Sequence, residues 1–210
     1  MKRTTVFSLL EITALLVIPM FSSKLSFGYI LLVLGIVLIS KRERKERWTD
    51  YGFKPVEWPK VLLAAAIGLG YAAFSNYVQE PLIAKLTGES PDISSFDSVT
   101  GNIWAFIGLL AIGWIVGGLF EEFLFRGYLL PRINKLFNNG QMGKWVGIIV
   151  TSVSFSIAHT YQGIGGIINT FIFSIILGLL FYYFKRNTWY VILVHGFFDT
   201  FGILWIYLGL

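Results

Sequence analysis

Long stretches of this 210-residue chain carry little or no charge, and they restrict its fold more than any other feature. Apolar residues make up 55% of the chain and charged residues 14%, which leaves too little polar surface to dissolve a compact globule of this size. The stretches cover residues 6–21, 25–40, 61–79, 98–120, 145–184 and 187–210. They predict an all-α, polytopic transmembrane bundle.

The longest stretch determines the predicted number of spans. A transmembrane helix needs roughly 20 residues, so residues 145–184 are long enough to cross the bilayer twice. Glycines at positions 163, 165 and 166 supply a turn between the two crossings. The sequence therefore predicts about seven spans in a single membrane domain, residues 1–210.

The basic residues predict how this bundle is oriented. If the N-terminus lies in the cytoplasm and the spans alternate, 15 of the 17 Lys and Arg residues fall on the inner side and only Lys24 and Lys85 fall outside. The positive-inside rule favours this arrangement, which places the C-terminus outside a cell membrane. The basic run 41–47 then marks orientation near anionic lipid. We therefore expect membrane lipid and no nucleic acid among the partners.

Ionisable residues inside the predicted transmembrane helices indicate where function lies. Each costs roughly 2.5–3.5 kcal/mol on insertion scales, so each calls for a partner or a role. Both histidines of the chain are among them, and histidine moves protons near neutral pH. The chain has no cysteine, which excludes disulfides, thiolate metal sites and a cysteine nucleophile. The set comprises Glu11, Glu121, Glu122, His159, His195 and Asp199, with Arg126 just beyond.

Helical spacing separates the two adjacent glutamates. Glu122 and Arg126 are four residues apart, so they share a face and can form an ion pair. Glu121 points about 100° away and is the freer carboxylate. One turn earlier, Gly117 and Gly118 leave room for a neighbouring backbone, a substrate or water.

The two histidines lie on separate helices of similar depth. Phe155 and His159 share one helical face, and His195 and Asp199 share another. Counting from the cytoplasmic helix ends predicts one cluster with Glu121, close to the cytoplasmic side or the midplane. Glu11 lies apart near the N-terminus, and we expect an interfacial or structural role for it.

Three motifs in the C-terminal half resemble a known family. They are similar to those of the CAAX protease and bacteriocin-processing (CPBP, Abi) family of intramembrane glutamic endopeptidases, which includes the type II CAAX prenyl proteases. The similarity covers roughly residues 105–207, so residues 101–210 would hold the catalytic helices and residues 1–100 carry no motif. The motifs are Glu121-Glu122-x-x-x-Arg126, Phe155-x-x-x-His159 and His195-x-x-x-Asp199.

The resemblance implies a site and a mechanism. It implies a helical bundle whose cavity opens to the cytoplasm and the membrane, with Glu121 and His159 activating a water molecule. Glu122 and Arg126 would hold the first motif in place, and His195 with its partner would stabilise the oxyanion. No cofactor is implied, and the substrate would be a peptide or a membrane protein.

Asp199 departs from the family pattern, which often has Asn at this position. An ionised Asp cannot donate a hydrogen bond to an oxyanion. Asp199 must therefore either carry a proton or act by orienting His195.

Other functions remain open from the residues alone. Two histidines and a glutamate could hold zinc with a water in the fourth position, although the usual His-Glu-x-x-His spacing is absent. Buried carboxylates and histidines could also form the proton relay of a transporter. A non-catalytic scaffold or an immunity protein is a further alternative. The sequence favours an intramembrane endopeptidase, and it does not decide between bacteriocin self-immunity and processing of a prenylated substrate.

Overall fold

A computed structural model of the chain describes residues 3–25 and 27–210. Within those ranges all regular secondary structure is helical, which confirms the predicted all-α class. Short helical turns at Ile18–Phe21, Trp48–Tyr51, Ser94–Val99 and Thr160–Gln162 connect the longer helices. The long helices are α1 (Arg3–Val17), α2 (Gly28–Arg44), α3 (Trp58–Thr87), α4 (Ile103–Leu136), α5 (Gln141–Ala158), α6 (Gly163–Tyr183) and α7 (Thr188–Leu208).

Four of these helices have the length and composition of membrane spans. Among the described residues they are α3, α4, α6 with the turn before it, and α7. The helix over Phe7–Phe21 is apolar but shorter, and α2 has 17 residues and ends in a basic turn. The helical membrane bundle is thus confirmed. The count of seven spans is supported for four helices and stays a prediction for α1, α2 and α5.

Local sequence fixes where the helices begin and end. The Asn102 side chain accepts hydrogen bonds from backbone N–H groups at the start of α4, and the Asn187 side chain accepts one at the start of α7. Gly88 and Gly209 follow α3 and α7 with φ of 80° and 70°, a conformation in which glycine has no steric penalty.

Helix α4 continues past the uncharged stretch at residues 98–120. The sequence placed Glu121 and Glu122 inside this helix and Arg126 just beyond them, on the cytoplasmic side. The helix ends at Leu136, and it is π-helical over Gly113–Glu121 and Phe123–Leu129. Arg126 is consequently 0% exposed inside the bundle. Such wide turns occur frequently at functional sites.

Helix α7 lies at the centre of the bundle and packs against both α3 and α4, while α5 packs against α6. Two apolar clusters make up the core. One joins α1, α2, α4 and α5 around Tyr29, Leu124 and Phe155. The other joins α3, α5, α6 and α7 and includes Ile148 and Val191.

The end of the bundle at which α2 ends and α3 begins, here called the basic end, is tied together by its loops. Gly52 O accepts a hydrogen bond from Thr188 N at 2.9 Å, and Tyr51 O accepts one from Thr188 Oγ1 at 2.6 Å. The Tyr51 ring is 1% exposed and stacks on Tyr128 with ring centroids 5.5 Å apart. Arg132 of α4 pairs with Glu46 at 2.6 Å. The α2–α3 loop therefore packs into the bundle.

The opposite end, here called the acidic end, is held by the segment between α3 and α4. Asp92 N donates to Gln162 O at 2.9 Å, which joins this segment to the turn between α5 and α6. Gly101 N donates to Tyr207 O at 2.9 Å near the end of α7. The loop residues at this end thus surround the ends of α5 and α7.

Candidate active site

A cavity of about 680 Å³ lies between α2, α4, α5 and α7. Its lining includes all four residues predicted to be catalytic, which are Glu121, His159, His195 and Asp199. They come from three different helices and from positions 78 residues apart at most. The fold therefore brings together the acidic and imidazole groups that the sequence singled out.

The expected ion pair between Glu122 and Arg126 is present, and it extends to a histidine. Glu122 Oε1 accepts from Arg126 NH1 at 2.7 Å and from His195 Nδ1 at 2.8 Å. Arg126 NH2 also donates to the carbonyl and hydroxyl oxygens of Ser174 on α6, at 2.9 and 2.8 Å. The Glu122 and Arg126 side chains are 0% exposed, so this ion pair lies behind the cavity wall that His195 helps to form.

The partner of Nδ1 determines the orientation of His195. A carboxylate only accepts hydrogen bonds, so Nδ1 carries a hydrogen that it donates to Glu122. The other nitrogen, Nε2, lies 3.6 Å from Asp199 Oδ1, which is longer than an ordinary hydrogen bond. Glu122, and not Asp199, is thus the residue that fixes the imidazole ring.

His159 stands at the C-terminal end of α5. Its Nδ1 is 2.8 Å from the carbonyl oxygen of Phe155, and a carbonyl can only accept, so the neutral ring carries its hydrogen on Nδ1. The Phe155 ring packs beside the imidazole with centroids 4.6 Å apart. Nε2 is therefore left as the nitrogen with a free lone pair.

Glu121 differs from its neighbour Glu122 in its surroundings. It lines the cavity and is partly exposed. Within residues 3–25 and 27–210, no hydrogen bond or ion pair occupies its carboxylate. The structure thus provides a cavity-facing carboxylate next to a buried one.

Glycines on α4 allow α7 to come close to these groups. A Cβ added at Gly117 would lie 2.7 Å from Asp199 Oδ2 and 3.3 Å from His195 Nε2. A Cβ at Gly113 would lie 3.2 Å from the same Asp199 oxygen. The space beside Gly117, which the sequence left open to a backbone, substrate or water, therefore faces side chains of α7.

Comparison with known families gives a match in the C-terminal half. Residues 100–201 match the family model of the type II CAAX prenyl endopeptidase, Rce1-like. This segment is similar to that family and is called the Rce1-like segment below. The match covers just under half of the chain and contains all three motifs, which confirms the resemblance drawn from them. No curated protein and no solved structure shows significant similarity to the chain.

The Rce1-like segment does not form the cavity alone. Phe27 and Tyr29, at the start of α2, and Ile93 and Phe96, in the segment before α4, also line it. Sequence reasoning missed these walls because apolar residues at helix ends carry no motif. Ser174, which holds Arg126, was missed because a single serine in an apolar helix is too common to be a signal.

The cavity extends toward the acidic end of the bundle. Besides Ile93 and Phe96, its lining includes Tyr161 and Gln162 from the turn between α5 and α6. No described residue of the loops at the basic end lines it. His159 follows the last turn of α5, at the end of that helix away from the basic end.

Glu11 lies outside the Rce1-like segment and outside the cavity. Its carboxylate accepts hydrogen bonds from the Arg44 guanidinium and from the Tyr128 hydroxyl. These contacts join α1 to α2 and α4, so the interfacial or structural role predicted for Glu11 matches its position.

In the described part of the chain, no three or more His, Cys, Asp or Glu side chains are arranged so that they could hold a metal ion. The polar groups of the site are instead ordered by the Glu122 pair and by the Phe155 carbonyl.

Proposed function

We propose that the chain is an intramembrane endopeptidase in which Glu121 and His159 activate the attacking water. The observation that carries the proposal is the position of Glu121 and His159 on one cavity, with His195 fixed beside them by Glu122. The family match, whose members are endopeptidases, and the apolar helices support a peptide substrate that is cleaved at the membrane.

The first step is attack by water on the peptide carbonyl carbon. The Glu121 carboxylate accepts a proton from water as the new C–O bond forms, and His159 Nε2 accepts a second hydrogen bond that orients the same water. The proton on Glu121 then passes to the amide nitrogen as the C–N bond breaks. A free carboxylate and a free imidazole nitrogen are what this step requires, and both are present.

The second requirement is a donor for the oxyanion that forms during attack. His195 Nε2 faces the cavity, because Nδ1 is committed to Glu122, and a proton on Nε2 would be donated to that oxygen. Glu122, Arg126 and Ser174 act as positioning residues, since they touch His195 or each other and lie behind the cavity wall.

The test is hydrolysis of a pool of quenched fluorescent peptides with apolar centres by the detergent-solubilised, full-length protein. Glu121→Gln and His159→Ala should each lower the rate by about 10²-fold or more, as expected for loss of a general base. Glu43→Gln, on the exposed end of α2, is the matched control and should leave the rate unchanged. Near-normal turnover by Glu121→Gln would show that the base is assigned wrongly.

Two further measurements distinguish the competing roles. Glu122→Gln should mainly lower the yield of folded protein, because Arg126 would keep a buried charge without its carboxylate, a loss of about 3–5 kcal/mol. Chelator treatment should leave wild-type hydrolysis intact. Loss of activity with chelator and its return on adding zinc would instead favour the metalloprotease.

A further inference from the structure

The cavity and the basic residues lie at opposite ends of the bundle. Apart from the buried Arg126, the Lys and Arg residues beyond the N-terminus concentrate where α2, α4 and α6 end. Lys24 and Lys85 are the two at the other end, where Glu89, Asp92 and Asp97 lie. The cavity is lined by loop residues of that acidic end.

The side of the membrane that the cavity faces follows from this charge distribution. Segments rich in Lys and Arg next to membrane spans stay in the cytoplasm, and acidic residues contribute little to the bias. The basic end is therefore the cytoplasmic end. The opening of the cavity at the acidic end, beside the exposed residues Phe27, Ser95 and Tyr161, is here called the mouth. It then faces away from the cytoplasm.

Packing closes the route from the basic end. All nine residues of α4 that follow Glu121, positions 122–130, are buried. Beyond them, Tyr51 fills the space beside Tyr128, and Thr188 is bonded to the α2–α3 loop. A substrate coming from the cytoplasm would have to break these contacts to reach Glu121.

The walls of the mouth indicate what kind of segment can enter. Phe27, Tyr29, Ile93, Phe96 and Ile206 form an apolar, largely aromatic lining between the mouth and the polar groups. Such walls favour an extended apolar or aromatic segment, because burying it removes apolar surface from water.

We infer that the substrate is a peptide or membrane protein whose apolar segment enters from the non-cytoplasmic face. This inference rests on the proposed peptidase function. It separates this chain from enzymes that process a prenylated C-terminus in the cytoplasm, because the prenylated end would meet the closed, basic end. The substrate class is thus a translocated peptide or the outer end of a membrane-spanning segment.

The absence of cysteine allows a direct test of the side. Ser95→Cys, exposed at the cavity mouth, and Thr49→Cys, exposed at the basic end, each place a single thiol in the full chain. In intact spheroplasts, a membrane-impermeant maleimide should label Ser95→Cys and should reach Thr49→Cys only after permeabilisation. The reverse labelling pattern would overturn the inference and leave the peptidase proposal untouched.

A second measurement connects the mouth to catalysis. In detergent, a bulky maleimide on Ser95→Cys should reduce hydrolysis of the quenched peptides at least tenfold, whereas the same label on Thr49→Cys should not change it. Full activity of labelled Ser95→Cys would show that substrate enters elsewhere. Absence of hydrolysis by all unlabelled proteins, wild type included, would instead contradict the peptidase function, whatever the labelling shows.

Discussion

Glu121 and Glu122 are adjacent in the chain, and one step along α4 gives their carboxylates different surroundings. Glu122 is fully buried and accepts hydrogen bonds from Arg126 and His195. Glu121 lines the cavity. A buried charge is tolerated when it is paired and hydrogen-bonded, whereas a free carboxylate beside a cavity can exchange protons with what enters. Glu122 thus holds neighbouring side chains in place, whereas Glu121 is available to exchange protons in the cavity.

Asp199 gives a test at the same scale. Glu122 already orients His195, and Asp199 is 20% exposed and lies 3.6 Å from Nε2. Asp199→Asn should therefore keep or raise the rate of peptide hydrolysis, because an amide can donate to the oxyanion without an unusual protonation state.

The opposite result would assign another role to Asp199. If it is a metal ligand, or if His195 depends on its charge, the same substitution should cost about 100-fold. Wild type with and without chelator distinguishes these two cases, since only a metal site would lose activity and regain it on metal addition. Asp199→Ala is the companion variant and should reduce the rate, because it can neither donate nor accept.

Sequence spacing predicted part of this residue-level arrangement. The Glu122–Arg126 pair follows from a separation of four residues on one helix, and the separate direction of Glu121 follows from the angle per residue. The bond between Glu122 and His195 joins α4 to α7 over 73 positions. Spacing within one helix carries no information about such contacts, because they depend on how the helices pack.

At the scale of the helices, α3 shows how closely the central helix is held. A Cβ added at Gly68 would lie 2.4 Å from Val194 O and 2.9 Å from Phe197 Cβ on α7. A Cβ at Gly70, two positions along the same helix, would meet no atom within 4 Å. The two glycines therefore form a matched pair.

Gly68→Ala should lower the stability of the detergent-solubilised protein by about 1–3 kcal/mol, because the added methyl forces α3 and α7 apart. Gly70→Ala should leave stability unchanged or raise it by up to about 1 kcal/mol, since alanine favours the helix. Thermal unfolding of the two variants and the wild type measures the difference. Equal melting temperatures for the two variants would show that the α3–α7 contact is not tight.

Helix α4 shows what hydropathy alone leaves out. Uncharged stretches mark where a chain can cross lipid, and the uncharged stretch of α4 ends at residue 120, just before Glu121 and Glu122. The helix continues because their charges are paired or face the cavity, and hydropathy does not register pairing. The turn near residue 163 was predicted correctly because glycine marks it directly, and α6 begins at Gly163.

At the scale of the whole molecule, orientation rests on the two differently charged ends. A reporter fused after Leu210 should map outside the cytoplasm, and one inserted next to Arg44 should map inside. Alkaline phosphatase and a fluorescent protein give opposite signals on the two sides, so each serves as the control for the other. Exchange of the two signals would place the basic end outside and turn the cavity toward the cytoplasm.

Part of the cavity wall, including Phe27, Tyr29, Ile93 and Phe96, lies outside the Rce1-like segment, whereas the four predicted catalytic groups lie within it. Selection can therefore act on the two separately. Substitutions at Phe27, Tyr29, Ile93 or Phe96 would reshape what fits without touching the groups that break the bond. A change of substrate can therefore begin with substitutions at these wall positions, while the residues proposed to break the bond stay the same.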